Sequence, residues 1–310
     1  MLLEVTDLSK RYGNVTALDR ANFTLNGGGI AGFVGANGAG KTTALRIMSG
    51  LEEPDSGDVK LDGVSLIDYP DKMRRKVGFM PDTLPDAADI TVKEYLSFFV
   101  NSFAAKGERK RIFGEVTEFT GTATFLDRKL VDLSKGMKQR VSLARLMIHD
   151  PDLLLLDEPA AGLDPRARAE LHDMLKTLAM QGKTIFLSSH ILAELENMIS
   201  SVVIIDKGKI IRYGSLTEDA AGESVAVETV ILGILGELPE AVFARIAGLP
   251  MVRNIERNLK TVECKVVSAE FSRFIIALGE CSFPLAWLRR SDRNVELEKL
   301  FLEVTEKGEL

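Results

Sequence analysis

The chain has 310 residues, 45% of them hydrophobic and 27% charged, with a net charge of −6; this is the balance of a globular protein, and the length suits one large domain with a smaller one. The negative charge argues against nucleic acid as the main partner, because phosphate binding needs a basic face, and no stretch approaches the ~20 apolar residues that span a bilayer. The two cysteines, Cys264 and Cys281, form neither a metal nor a redox spacing, and Met1-Leu2-Leu3-Glu4-Val5 is charged too early for a secretion signal, so the expected compartment is the reducing cytoplasm.

From the N-terminus, Leu3, Val5 and Leu8 mark a first strand and Val15 to Leu25 a second, followed by the turn Gly27-Gly28-Gly29. Ile30 to Val34 is a short apolar run feeding a glycine loop, and Thr42 to Ser49 has helical character. Strand, loop and helix in that order open a parallel α/β sheet. Over residues 85 to 132 the texture becomes that of a helical insertion, opened by the capping box Thr91-x-x-Glu94 ahead of Tyr95, Leu96, Phe99, Val100 and Phe103. Ser134 precedes a helix bearing Val141, Ala144, Leu146 and Ile148. Leu153 to Leu156 is wholly apolar, as a parallel strand buried on both faces should be. Asp164-Pro165 sets an N-cap and then proline at the first helical position. Thr184 to Ser188 is another buried strand, and Val202 to Ile205 with Lys209 to Tyr213 reads as a hairpin about Lys207-Gly208. After about residue 220 the strand-like runs Val225 to Leu232 and Thr261 to Val267 alternate with the helical runs Glu240 to Ala247 and Ala269 to Leu278. The expected organisation is a main α/β domain over 1–220 and a small α+β domain of ferredoxin-like type over 221–310.

The strongest chemical signal is Gly35-Ala-Asn37-Gly38-Ala39-Gly40-Lys41-Thr42, which fits the P-loop pattern G-x-x-x-x-G-K-[ST]. Its glycines let backbone N–H groups turn inward around phosphate oxygens, and the helix that follows adds its positive end. Lys41 is placed to reach the outer phosphates of ATP, and the Thr42 hydroxyl to ligate Mg²⁺. Thr43 follows in the same phosphate-binding turn. A P-loop needs a second metal contact from a neighbouring strand, and Leu153-Leu-Leu-Leu-Asp157-Glu158 supplies it. Asp157 at the strand's end can hold Mg²⁺, and Glu158 beside it can orient or deprotonate the attacking water.

With these pieces the chain resembles the ATP-binding-cassette family. Leu133-Ser134-Lys135-Gly136-Met137 is similar to that family's signature loop, commonly Leu-Ser-Gly-Gly-Gln, and stands about twenty residues before the Asp157-Glu158 motif. The resemblance implies that Ser134 and the Gly136 N–H bind the γ-phosphate of ATP held by a second copy. Gly162-Leu163-Asp164 looks like the D-loop, and His190 like the switch histidine that touches the γ-phosphate. Tyr12 lies where the family has an aromatic that stacks on adenine, although packing alone would also account for it. One departure stands out: where the family has Pro-Gln, this chain has Pro81-Asp82. Asp82 is either a metal ligand in place of glutamine or a turn residue. The tail Val295 to Leu302 is similar to the closing helix of an accessory domain on export-type ATPases.

The resemblance thus implies a P-loop NTPase core of RecA-like type, with an antiparallel β subdomain and a helical insertion. The implied activity is Mg²⁺-dependent ATP hydrolysis by a homodimer that would drive a separate integral membrane permease from the inner face of the membrane, in the direction of export. The alternative is a soluble ATPase of the same type acting on ribosomes or DNA.

Overall fold

Alternating apolar and polar residues build the first sheet. Leu3 and Val5 of β1 (Leu2–Tyr12) and Ala21, Phe23 and Leu25 of β2 (Val15–Asn26) point inward while their neighbours face solvent. Gly13, at positive φ, turns one strand into the other. The next strand, β3 (Gly29–Val34), is buried along its length and leaves this sheet. After α1 (Lys41–Met48), the chain returns with β4 (Ser56–Leu61) and β5 (Val64–Ser65), completing an antiparallel sheet of order β2-β1-β4-β5. The computed structural model describes residues 1–73, 75–84, 89–191, 195, 198–215, 227–267 and 270–290.

A single helical turn, α2 (Pro70–Met73), leads to β6 (Val77–Met80). The helical insertion follows as α3 (Val92–Phe103) and α4 (Arg109–Phe119), with two 3₁₀ turns at Thr122–Phe125 and Leu130–Asp132. Both halves of the capping box form at the start of α3: Thr91 Oγ1 accepts from the Glu94 N–H, and the Glu94 carboxylate accepts from the Thr91 N–H. The chain then runs through α5 (Lys135–Met147), β7 (Leu153–Leu156), α6 (Pro165–Met180), β8 (Thr184–Ser189), β9 (Ser201–Asp206) and β10 (Lys209–Ser215). Strands β6, β7, β8, β3 and β9 are parallel neighbours in a sheet of order β10-β9-β3-β8-β7-β6. All of β7 and β8 is buried, as strands covered on both faces must be.

The two sheets share a core. Phe23 from the antiparallel sheet meets Phe33 and Phe186 from the parallel one, with ring centroids 5.0 to 6.1 Å apart. A second core joins the insertion to α5: Val92, Leu96 and Val100 of α3 and Val116 of α4 pack with Val141 and Ala144. Arg145 fixes α5 to β6 by donating to the Phe79 carbonyl at 2.8 Å. The helix that begins at Ser134 is therefore gripped by both the insertion and the sheet.

His149, just beyond α5, stacks on Phe103 at 5.1 Å between centroids, and burial lowers its pKa. Burial lowers that of His172 on α6 as well. A neutral form favoured by folding contributes stability that is fully present above the unfolded value of about 6.5 and is lost as the pH falls toward the lower folded value. Melting followed from pH 7.5 to 5.5 should show a falling Tm, with a shallower fall in His149→Gln.

Two compact units divide the chain, Met1–Gly214 and Ser215–Leu310. The described part of the second holds β11 (Val227–Ile234), α7 (Glu240–Ala247), β12 (Val252–Arg257), β13 (Thr261–Val267), α8 (Phe271–Glu280) and β14 (Leu285–Arg290). Its sheet is antiparallel with order β12-β13-β11-β14, the βαββαβ connectivity of ferredoxin-like folds. Val230, Leu232, Val262, Cys264, Val266, Ile246, Phe274 and Leu278 form its core. Burial pushes the Cys264 thiol up to about 12, so it is a packing group rather than a nucleophile. The sequence pattern did not mark β12 or β14, the edge strands, whose residues are largely exposed and lack alternation. The expected helix Val295 to Leu302, the expected boundary at 220/221 and the first two residues of the run from Val225 lie outside the described residues.

Candidate functional site

Parallel pairing brings four strand ends to one edge. Val34 pairs with Ser189, Leu156 with Leu187 and Met80 with Leu156. The next residues along, Gly35, His190, Asp157 and Pro81, therefore emerge together where an open α/β sheet binds its ligands. β8 stands between the P-loop strand β3 and β7. The expectation that Asp157 comes from a strand neighbouring the P-loop strand is thus corrected: its strand lies one place further out, and side chains reach across β8.

Two loop glycines are fixed by close approach. A Cβ on Gly35 would lie 2.3 Å from the Ile205 carbonyl oxygen, and one on Gly40 2.3 Å from that of Ala17, where φ is also +110°. Gly40 is the N-cap of α1 and gives no side-chain cap, and the first turn holds no acidic residue. Asn37, Gly38 and Ala39 complete the loop, and the Gly208 N–H donates to the Ala39 carbonyl at 2.9 Å. The leading N–H groups of α1 thus have no side chain competing for them, which suits an anion.

Lys41 is only 5% exposed. Its ammonium donates to the Gly35 carbonyl at 2.6 Å and the Ala36 carbonyl at 3.1 Å, and lies 3.4 Å from Glu158 Oε1. The other Glu158 oxygen is 2.9 Å from His190 Nδ1. Glu158 is held in the left-handed region, with φ +45°. A non-glycine residue there costs roughly 1–3 kcal/mol and persists only where its surroundings fix it. Here the fixing group is Ser188, whose Oγ accepts from the Glu158 N–H at 2.8 Å and donates to Asp157 Oδ1 at 2.8 Å. The second Asp157 oxygen accepts from Thr42 Oγ1 at 2.8 Å. Sequence reasoning missed Ser188. The signal was available: a hydroxyl at the end of a buried strand, one residue past Leu187, which pairs with the residue before Asp157.

Thr42 and Asp157 form a hydroxyl–carboxylate pair of the hard oxygen donors that Mg²⁺ prefers. Among the described residues no group of three or more His, Cys, Asp or Glu side chains is placed to hold a metal. The donor set therefore fits an ion that brings phosphate and water as its other ligands.

The Tyr12 hydroxyl donates to Glu52, and its half-exposed ring lies 5.6 Å from the Lys10 ammonium. Burial and the Glu52 bond raise its phenol pKa, while a hydrogen bond with Thr43 opposes them. The Tyr12 hydroxyl thus stands beside the first turn of the P-loop helix.

The second predicted phosphate-binding segment also opens a helix, but with a side-chain cap where the first has none. Ser134 caps α5, its Oγ accepting from the Met137 N–H at 3.3 Å, and no acidic residue occupies the first turn. Gly136 packs tightly on α6, where a Cβ would lie 3.1 Å from that of Ala167. Asp164 caps α6 by accepting from the N–H groups of Arg166 and Ala167, each at 3.0 Å. Among the described residues no hydrogen bond or ion pair joins 134–137 to the P-loop group. The Asp82 carboxylate pairs with Lys135 at 3.9 Å, while Thr42 and Asp157 pair with each other.

Residues 18–161 match the family described as ABC transporter. The Nod factor export ATP-binding protein I of Ralstonia nicotianae is 33% identical over 306 residues, which cover 98% of this chain and 94% of that protein. Among solved structures, one described as the ATP binding subunit of an ABC transporter is 32% identical, with a TM-score of 0.63 over 70% of this chain and 90% of that one. A dimeric bacterial ABC transporter cassette is 25% identical, with a TM-score of 0.62 over 70% of this chain and 100% of that one.

Proposed function

From the premise that this chain belongs to the ABC transporter family as an ATP-binding, ATP-hydrolysing subunit, we propose that two copies clamp two ATP molecules between them and drive a separate membrane permease for export. The observation that carries the chemistry is the convergence at one sheet edge. Thr42, Asp157 and Ser188 form one hydrogen-bonded chain, and Glu158 stands between Lys41 and His190. The N–H groups of the P-loop and Lys41 bind the phosphates. Thr42 and Asp157 would hold Mg²⁺, which when bound neutralises charge developing on the phosphoryl oxygens. Glu158 takes the proton of the attacking water at its carboxylate, and His190 keeps that carboxylate turned toward the γ-phosphate.

Two-copy action is supported by the division of the site. Each chain has a P-loop and a second helix N-terminus, capped by Ser134, and among the described residues no hydrogen bond or ion pair joins the two within one chain. A two-fold arrangement would seat Ser134 and the Gly136 N–H on the γ-phosphate held by the other copy. Moving a population from 1:99 to 99:1 needs about 5.5 kcal/mol of differential binding. Two γ-phosphates, each gaining one or two charge-assisted hydrogen bonds worth about 1.5–3 kcal/mol, supply it. Specific ATPase activity is therefore expected to rise with protein concentration and level off as dimers fill. A rate per chain independent of dilution would count against the reading.

No described helix is long and apolar enough to cross a membrane. In this reading the permease is a separate chain, and this subunit sits on the membrane's cytoplasmic face. The export direction is supported by the name of the Ralstonia relative, and transport relatives favour this reading over action on ribosomes or DNA. Asp157→Asn is expected to lower Mg²⁺-dependent hydrolysis by ~100-fold or more, since one metal ligand and its charge are lost. Nucleotide binding in that variant should also lose its dependence on Mg²⁺, which titration calorimetry would check.

A further inference from the structure

Lys135 and Gln139 lie one turn apart on α5, so they share a face. Both reach the same residue. Gln139, buried, donates its Nε2–H to the Asp82 carbonyl at 3.0 Å. Lys135 Nζ lies 3.9 Å from Asp82 Oδ1, a buried oxygen that accepts no hydrogen bond among the described residues. On its way the lysine crosses Gly162: a Cβ there would lie 3.2 Å from Nζ and 3.7 Å from Cδ. Gly162 has φ +65°, a conformation that favours glycine.

We infer that Lys135 is a positioning residue, tied within its own chain to Asp82 and laid over Gly162, so that one cation links the segment after β6, the N-terminus of α5 and the turn before α6. Asp82 then serves the lysine rather than the metal, and Lys135 is held back from the partner's phosphate. The consequence rests on the two-copy reading above. Because Ser134 and Gly136 flank Lys135, the tie sets where they stand when a second copy arrives.

Amide exchange over residues 133–141 of the full chain without nucleotide tests the tie itself. Asp82→Asn and Lys135→Met should each speed it about threefold, the size set by a half-exposed ion pair. The reversed pair, Asp82→Lys with Lys135→Asp, should return it to within about 1.5-fold of the parent. Unchanged exchange in either single variant overturns the inference.

The consequence is measured by sedimentation with ATP in the Glu158→Gln background. Each single variant should raise the ATP needed for half-dimerisation about threefold, the double variant should add little, and monomer affinity for ATP should stay within about twofold. If Asp82→Asn alone weakens Mg²⁺-dependent nucleotide binding, Asp82 is a metal ligand and the inference is wrong. If Lys135→Met alone weakens dimerisation, the lysine meets the partner's phosphate, and the inference is equally wrong. If the Glu158→Gln parent stays monomeric, the two-copy reading falls, while amide exchange still decides the tie.

Discussion

Replacing Glu158 with glutamine is expected to reduce ATP hydrolysis by ~10²–10⁴-fold, the usual contribution of a positioned general base, while leaving ATP bound and the protein accumulated as a dimer. The amide keeps the length of the side chain and the backbone bond from the Glu158 N–H to Ser188. It removes the group able to take a proton. It also removes a negative charge that faces the site of the γ-phosphate beside Lys41. That charge repels phosphate across a short distance in a partly buried site, so its loss favours the closed dimer. Gel filtration with and without ATP, beside phosphate release, measures both effects. Loss of hydrolysis without dimer accumulation would leave the chemistry standing and remove the clamp.

The second large effect belongs to Lys41. Lys41→Ala should weaken ATP binding by ~100-fold or more, because charge-assisted hydrogen bonds to phosphate are worth about 1.5–3 kcal/mol each and the ammonium can make two. The variant should also be less stable. Lys41 is buried, donates to the Gly35 and Ala36 carbonyls, and partners Glu158. Removing it leaves a carboxylate and two carbonyls short of a partner. Calorimetric titration at a temperature where the melting curve shows a folded variant separates the two losses. Affinity within about threefold of the parent would contradict the assigned role of the lysine.

Much of this was legible in the sequence, for physical reasons. A strand buried on both faces is apolar along its middle, so Leu153–Leu156 and the run Ile185-Phe186-Leu187 declared themselves. A side chain that caps a helix must offer an oxygen, so Thr91, Ser134 and Asp164 marked three helix starts that the structure forms. Strand order was not legible. Local pattern does not say that β8 comes between β3 and β7, and that order makes Ser188 the bridge between Asp157 and the Glu158 backbone. The positive φ of Glu158 was equally hidden, since nothing in Asp157-Glu158 marks a left-handed residue. Asp82 is the instructive case. Its position pointed to the metal or to a turn, and only the packed face of α5 revealed Lys135 and Gln139 converging on it.

The central claim is that each chain holds complementary halves of two nucleotide sites, and a crystal structure of the Glu158→Gln protein with ATP tests it most directly. The expected result places a γ-phosphate oxygen roughly 3 Å from Ser134 Oγ and the Gly136 N–H of a neighbouring copy, related by a two-fold axis. A γ-phosphate contacted by one chain alone, with residues 133–137 of every copy facing solvent, would contradict it.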